Sequence, residues 1–300
     1  MIIQETNFND FEALLIRNDA INVWIAKQFG PRILGIAPTG SENILAELPE
    51  ARLELPNGNH YSLRGGHRLW YAPEDPSLTY LPDDEPVHIN EIDNGIQITQ
   101  PVEQETGIQK AIMVILPNNS AQMIIDHQLT NQGELNIELA PWVITMLKPG
   151  GFAILPQTSK PTDKYGLLPN RSMALWPYTD IRSPHIQLGN HFSLIHANMQ
   201  EGALKVGFSN GRGWLGYFNN GIFFVKFADY KPELDYYDYQ SSSECWCNPA
   251  VIEIETLGPR TQLQPGQTVT HREEWKLFSE VELHPDEENI QQWVEKLNLN

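Results

Sequence analysis

Apolar residues along this chain come in short runs or alternate with polar ones, and Gly, Pro, Asn and Asp punctuate them from about residue 11 to residue 279. A period of two places successive side chains on opposite faces of a strand. Segments 20–28, 32–36, 95–99, 108–116, 121–130, 142–146, 192–196, 203–208, 214–218, 222–227, 250–257 and 269–278 fit that pattern. Asn118 with Asn119, and Asn219-Asn220-Gly221, lie between paired runs and are expected to be hairpin tips, because Asn and Gly accept positive φ. The period changes only near the end, where Ile290, Trp293, Val294 and Leu297 follow i, i+3, i+4, i+7 behind Pro285-Asp286-Glu287-Glu288. Pro and acidic residues there suit a helix N-terminus, so a helix over about 286–297 is predicted. The fold class is therefore all-β, two large packed sheets with a short C-terminal helix. Pro149, Pro156, Pro161, Pro169, Pro177 and Pro184 crowd residues 148–191, which predicts a long loop rather than central strands. No repeat or linker is evident, and one domain over residues 1–300 is expected.

Within segment 250–257, Glu253 and Glu255 share one face while Ile252 and Ile254 share the other. Their Cα atoms would lie about 6.6 Å apart at the usual rise, near enough for one carboxylate to raise the pKa of the other. Such a pair suits proton transfer near neutral pH; on an edge strand it would be two solvated side chains. Residues 64–74, RGGHRLWYAPE, place Arg64, His67, Arg68, Trp70 and Glu74 around a Gly pair. Arg and His donate to sugar hydroxyls, Glu accepts from them, and Trp offers an apolar platform. A structural Gly turn with surface charges is the other reading of that segment. Arg32 interrupts an apolar strand, either towards a cleft or towards solvent. Lys226 stands in a run apolar on both faces, so it must be paired or line a polar cleft, the latter being favoured. Asp238 and Glu244, with Trp246, add acceptors and an aromatic platform just before Glu255. Trp142, Trp176 and Trp214 are equally compatible with the core.

Charge narrows the partners. The formal net charge of −18 opposes electrostatic binding to nucleic acid or to an anionic membrane, so a neutral small molecule fits better. Hydrophobic residues make up 41% and charged ones 19%, ordinary for a globular protein able to bury a core. Neither a signal-type N-terminus nor 18 uninterrupted apolar residues occurs, so a cytoplasmic location is expected. Cys245 and Cys247, two apart, suit neither an ordinary disulfide nor a CxxC pair and are expected to be free thiols. The His spacings form neither HxH nor HExxH, so no metal is assigned, although calcium held by distant loops would leave no sequence trace. Nothing in the motifs supports a nucleotide, Rossmann or serine-hydrolase reading.

Glu255-Thr256 followed by Pro259, Leu257-Gly258-Pro259 running into Leu263-Gln264-Pro265-Gly266-Gln267 and His271-Arg272-Glu273-Glu274-Trp275, Leu129-Thr130-Asn131, and Arg64-Gly65-Gly66 together resemble the aldose 1-epimerase, or galactose mutarotase-like, superfamily. The resemblance spans roughly residues 20–279 and implies a β-supersandwich that binds a sugar without a cofactor. It implies Glu255 as the general base that takes the proton of the C1 hydroxyl, with ring opening, rotation and reclosure exchanging the anomers. Two positions depart from the family pattern: Arg64 replaces the His of a His-Gly-Gly loop, and Pro141-Trp142-Val143-Ile144 runs where a catalytic His is expected. His67 is the candidate acid. Arg32, Arg64, Arg68 and Lys226 would orient hydroxyls or an anionic group, Glu253 would tune Glu255, and Trp70 would stack on the ring. A sugar-binding protein without activity, or a polysaccharide lyase or hydrolase of similar fold, are the other readings, and the oligomeric state is left open.

Overall fold

The structure, a computed structural model, describes residues 1–299 except 56, 57, 59, 118 and 119. Its elements are almost all strands, and nearly all of them join two antiparallel sheets. The first sheet runs, in spatial order, through Ile2–Phe8, Phe11–Arg17, Ile21–Ala26, Arg32–Pro38, His67–Ala72, Ile137–Leu147, Ile252–Leu257, Ser243–Cys247, Leu204–Phe208 and Met173–Leu175. The second runs through Ile186–Gln187, Phe192–His196, Phe152–Pro156, Trp214–Asn219, Ile222–Ala228, Thr268–Phe278, Gln122–Asn131, Ile108–Ile115, Gly95–Thr99 and His88–Ile92. Between the sheets lies the main core, with Val143, Leu147, Ile252, Ile254 and Leu69 from the first sheet and Ile112, Ile125, Leu129, Phe224 and Trp275 from the second. Each sheet is also covered on its outer face. The C-terminal helix Glu287–Lys296 sets Ile290 and Val294 against Trp214, Phe223 and Val225, and the Asp286 side chain caps it by accepting from the Asn289 amide. On the first sheet, the hairpin of Glu47–Glu54 and His60–Gly65 lays Leu48, Leu53, Tyr61 and Leu63 over Trp70, Trp142 and Ile144.

Each of the twelve expected segments overlaps a strand. The hairpin at Asn219 to Gly221 forms with Asn219 opposite Ile222 and with φ of 47° at Asn220 and 76° at Gly221, the left-handed pair that a two-residue turn requires. The other expected tip, Asn118 and Asn119, lies outside the described residues, although the strands flanking it do pair. The proline-rich region needs a correction. Phe152–Pro156 is fully buried and sits inside the second sheet between Phe192–His196 and Trp214–Asn219; its one proline is its last residue, where no further ladder bond is needed. Residues 64–74 need another, since His67–Ala72 is a buried central strand rather than a loop. The Gly pair before it serves packing: a Cβ on Gly65 would stand 2.0 Å from the Ala46 carbonyl oxygen and one on Gly66 2.2 Å from that of Ile33.

Trp275 is fully buried between the sheets, its ring 4.9 Å from that of Phe224 and 4.7 Å from that of His67. Trp275→Ala should lower the unfolding free energy by about 3–5 kcal/mol. Leu135, 77% exposed, should tolerate the same truncation within about 0.5 kcal/mol. Equilibrium urea denaturation of both variants checks the contrast.

Candidate functional site

Three adjacent strands bring a lysine and two glutamates together on the outer face of the first sheet. Glu244 is the cross-strand partner of Glu255, and Lys205 is that of Trp246, two positions along. The Lys205 ammonium lies 2.6 Å from Glu244 Oε2 and 3.0 Å from Glu255 Oε2, and it is sandwiched between the rings of Trp142 and Trp176 at 4.6 and 4.7 Å. Trp142 also donates its indole N–H to Glu255 Oε2 at 2.6 Å. All three charged side chains are buried. Glu255 thus has two donors to hold a carboxylate. Glu255 Oε1 and Glu244 Oε1, by contrast, accept no hydrogen bond among the described residues.

One ammonium between two buried carboxyl groups cannot match both as anions. Burial pushes the Glu244 carboxyl well above the usual carboxylate range, and the charges of Glu255 and Asp238 add to that against the pull of Lys205. Burial also works against the Lys205 charge, but Glu244 and Glu255 outweigh it and hold the lysine well above its ordinary range. Glu253, one pleat away, is raised first by burial and then by Glu255, with Arg68 opposing at 3.2 Å. The Arg68 guanidinium lies 4.1 Å from the centre of the Trp70 ring, and Trp70 meets Trp142 edge-on at 5.3 Å. Asp238 sits half-buried in a left-handed turn, with φ of 52° there and 57° at Tyr239; burial raises its carboxyl, and Lys205 and Glu244 act on it. Glu74 is exposed and accepts from the Tyr80 hydroxyl. The structure therefore gathers Glu244, Glu253, Glu255, Arg68, Trp70 and Asp238 on one face, with Glu74 exposed beside Tyr80.

Four expected residues lie elsewhere. Arg32, without exposed surface, donates to the Leu63 and Gly65 carbonyls, the Tyr61 hydroxyl and Asp83, which ties the covering hairpin down. Arg64 pairs with Asp83 and Asp84. His67 and Lys226 occupy the inter-sheet core, on the opposite face of the first sheet from Glu255, because 67 is out of phase with 68 and 70 on its strand. There the hydrogen bonds close into one chain. His127 Nδ1 donates to the His271 carbonyl at 3.0 Å, so its Nε2 accepts from His67 Nε2 at 2.7 Å, and His67 Nδ1 accepts from the Thr145 hydroxyl at 3.0 Å. Lys226 donates to Thr145 Oγ1, the Ile254 carbonyl and Glu273 Oε1, and Glu273 also accepts from Thr256 and Trp275. His67, His127 and Glu273 do present ligand atoms within 4.8 Å of one another, a set chemically suited to zinc. Each of those atoms already has a hydrogen-bond partner, and Lys226 holds the carboxylate.

Lys205 is the principal residue that sequence reasoning missed. Its signal, a lone lysine in an apolar run, is the same that singled out Lys226; only the strand phase relative to Glu255 tells the two apart. Trp176 comes from the proline-rich loop, and Tyr178 beside it is half exposed. Cys245 and Cys247 are buried free thiols facing the core.

Two face-packed antiparallel sheets with this elaborated outer surface are the galactose mutarotase-like fold, and comparison with solved structures shows the same. A galactose mutarotase-like protein from Lactobacillus casei is 12% identical, with a TM-score of 0.57 over 89% of this chain and 100% of that one. A candidate aldose 1-epimerase from Klebsiella pneumoniae is 13% identical, with a TM-score of 0.60 over 96% and 83%. A TPR-domain-containing protein from Parabacteroides distasonis is 14% identical with a TM-score of 0.61, and the match covers 91% of this chain but 48% of that longer one. No protein-family model and no curated protein matches the sequence. Among the described residues, no helix is long and apolar enough to cross a membrane.

The inter-sheet cluster makes stability depend on pH. Burial lowers the pKa of His67, His127 and His271, the last from 6.5 to about 4, whereas the unfolded chain takes up those protons near 6.5. The unfolded state therefore binds more protons below that pH, and stability should fall as pH drops from about 6.5 towards 4. Glu273 continues the trend below its unfolded value, since Lys226 and the imidazoles hold its pKa down despite burial. Urea midpoints between pH 7 and 4 should decline, and His271→Gln should flatten the decline.

Proposed function

We propose that the outer face of the first sheet binds a sugar and interconverts its anomers, with Glu255 as the base that takes the C1 hydroxyl proton. The observation that carries this is the pair of buried carboxyl oxygens without donors, Glu255 Oε1 and Glu244 Oε1, beside the indoles of Trp142 and Trp176. A sugar supplies what that surface lacks: hydroxyl donors along one edge and an apolar C–H face for an aromatic ring. Trp142 and Lys205 hold Glu255 in place, Arg68 keeps Glu253 paired, and Trp70 offers a second aromatic surface. Proton removal from the C1 hydroxyl lets the ring C–O bond open, C1 rotate about its bond to C2, and the ring close on the other face. No redox partner enters that sequence. The similarity in fold to galactose mutarotase-like proteins supports the choice of reaction, but it does so at the level of fold alone.

A second reading is a sugar-binding protein without activity. It is favoured by the complete burial of Glu255 and by the position of His67, the candidate acid, behind the sheet. NMR anomer-exchange spectroscopy on a panel of aldoses separates the two. The wild type should accelerate exchange, and Glu255→Gln should lower the rate at least about 100-fold while keeping ligand line-broadening. Line-broadening without acceleration by the wild type would leave the binding protein as the account.

A further inference from the structure

Resting on the anomer-exchange reading above, we propose that the Glu244 carboxyl is the general acid of the site, giving its proton to the ring oxygen as Glu255 takes one from the C1 hydroxyl. The C1–O5 bond breaks, its electron pair stays on O5, and O5 takes the Glu244 proton. The electrons of the C1 O–H bond become the carbonyl π bond as that proton moves to Glu255. Reclosure runs each transfer backwards, so both carboxyl groups return to their starting states and nothing else is consumed.

Glu244 and Glu255 are directly opposed on neighbouring strands and project from the same face, so one substrate can span both. Glu255 has donors from Trp142 and Lys205, which suits a carboxylate. Glu244 has only the Lys205 ammonium, 2.6 Å from Oε2 and shared with Glu255, and no donor on Oε1, which suits a neutral acid. The titratable groups facing it are Lys205 from Leu204–Phe208, Glu255 from Ile252–Leu257 and Asp238 from the Tyr237–Gln240 turn. Two of those three are acids, so ionisation of Glu244 would crowd three negative groups around one ammonium. Burial and these neighbours raise its pKa well above the usual range. Glu244 thereby takes the place of the acid that the segment Pro141 to Ile144 lacks and that His67 cannot fill from the core.

Infrared difference spectra between the wild type and Glu244→Gln at pH 7 test the protonation directly. The wild type should carry the C=O stretch of a protonated carboxylic acid, and the variant should lose it. In exchange spectroscopy Glu244→Gln should slow the reaction at least about 100-fold with sugar line-broadening retained, and Glu244→Asp should recover part of the rate. The wild-type rate should fall on the alkaline side as Glu244 ionises, and this limb should be absent from any residual activity of Glu244→Gln. A carboxylate band in place of the acid band, or wild-type exchange by Glu244→Gln, would overturn the assignment and leave Glu255 as base untouched. A wild type that exchanges no sugar would remove the reaction and the acid with it.

Discussion

The strand Ile252–Leu257 is buried on both faces, so every polar group it carries must be matched on the face where it projects. Much of the molecule is arranged around that constraint. On the inner face, Lys226 takes the Ile254 carbonyl, and the Thr256 hydroxyl joins Glu273 and His271. On the outer face, Glu253 takes Arg68, and Glu255 takes Trp142 and Lys205. The inner matching is complete. The outer one ends with acceptors to spare, and the proposed ligand-binding role rests on that difference.

An acidic chain meets this demand by placing scarce cations inside. Arg32, Arg68, Lys110, Lys205 and Lys226 are all buried, and each faces at least one carboxylate. Desolvation makes such pairs costly, and removing one partner costs more than the pair contributes, so these positions constrain each other strongly. Lys205 is the exception in kind, because it serves two carboxyl groups. Its other partner, Glu244, is a carboxyl whose pKa burial and the neighbouring acids raise against the pull of that lysine. The aromatic cover over Lys205 comes partly from Trp176, in the least regular part of the chain, so closure of the site depends on a loop rather than on the sheets.

Much of the fold was legible because period-two alternation survives wherever a strand is covered unevenly. Phe192–His196 and Gly95–Thr99 match their expected bounds, and the helix differs by one residue at each end. His67–Ala72 was not legible: its arginine and histidine read as part of a site or of a solvated loop, yet each finds a buried partner across the sheet. Phe152–Pro156 was hidden by the prolines that follow it. Glu255 stood out because two glutamates share one phase of an apolar strand, but the sequence could not rank Lys205 against Lys226 or place His67. Those choices depend on which face of one strand meets which face of another, and that is set by sheet order across more than a hundred residues.

The division between the two faces of the first sheet can be read from the indole N–H signals of the tryptophans. A nitrogen-15 correlation spectrum recorded during titration with a sugar that the protein exchanges or binds would observe both faces at once. Trp142, Trp176 and Trp246 should shift, while Trp275, between the sheets, and Trp214, beneath the C-terminal helix, should stay in place. A shift of Trp275 with the outer-face indoles unmoved would contradict the account.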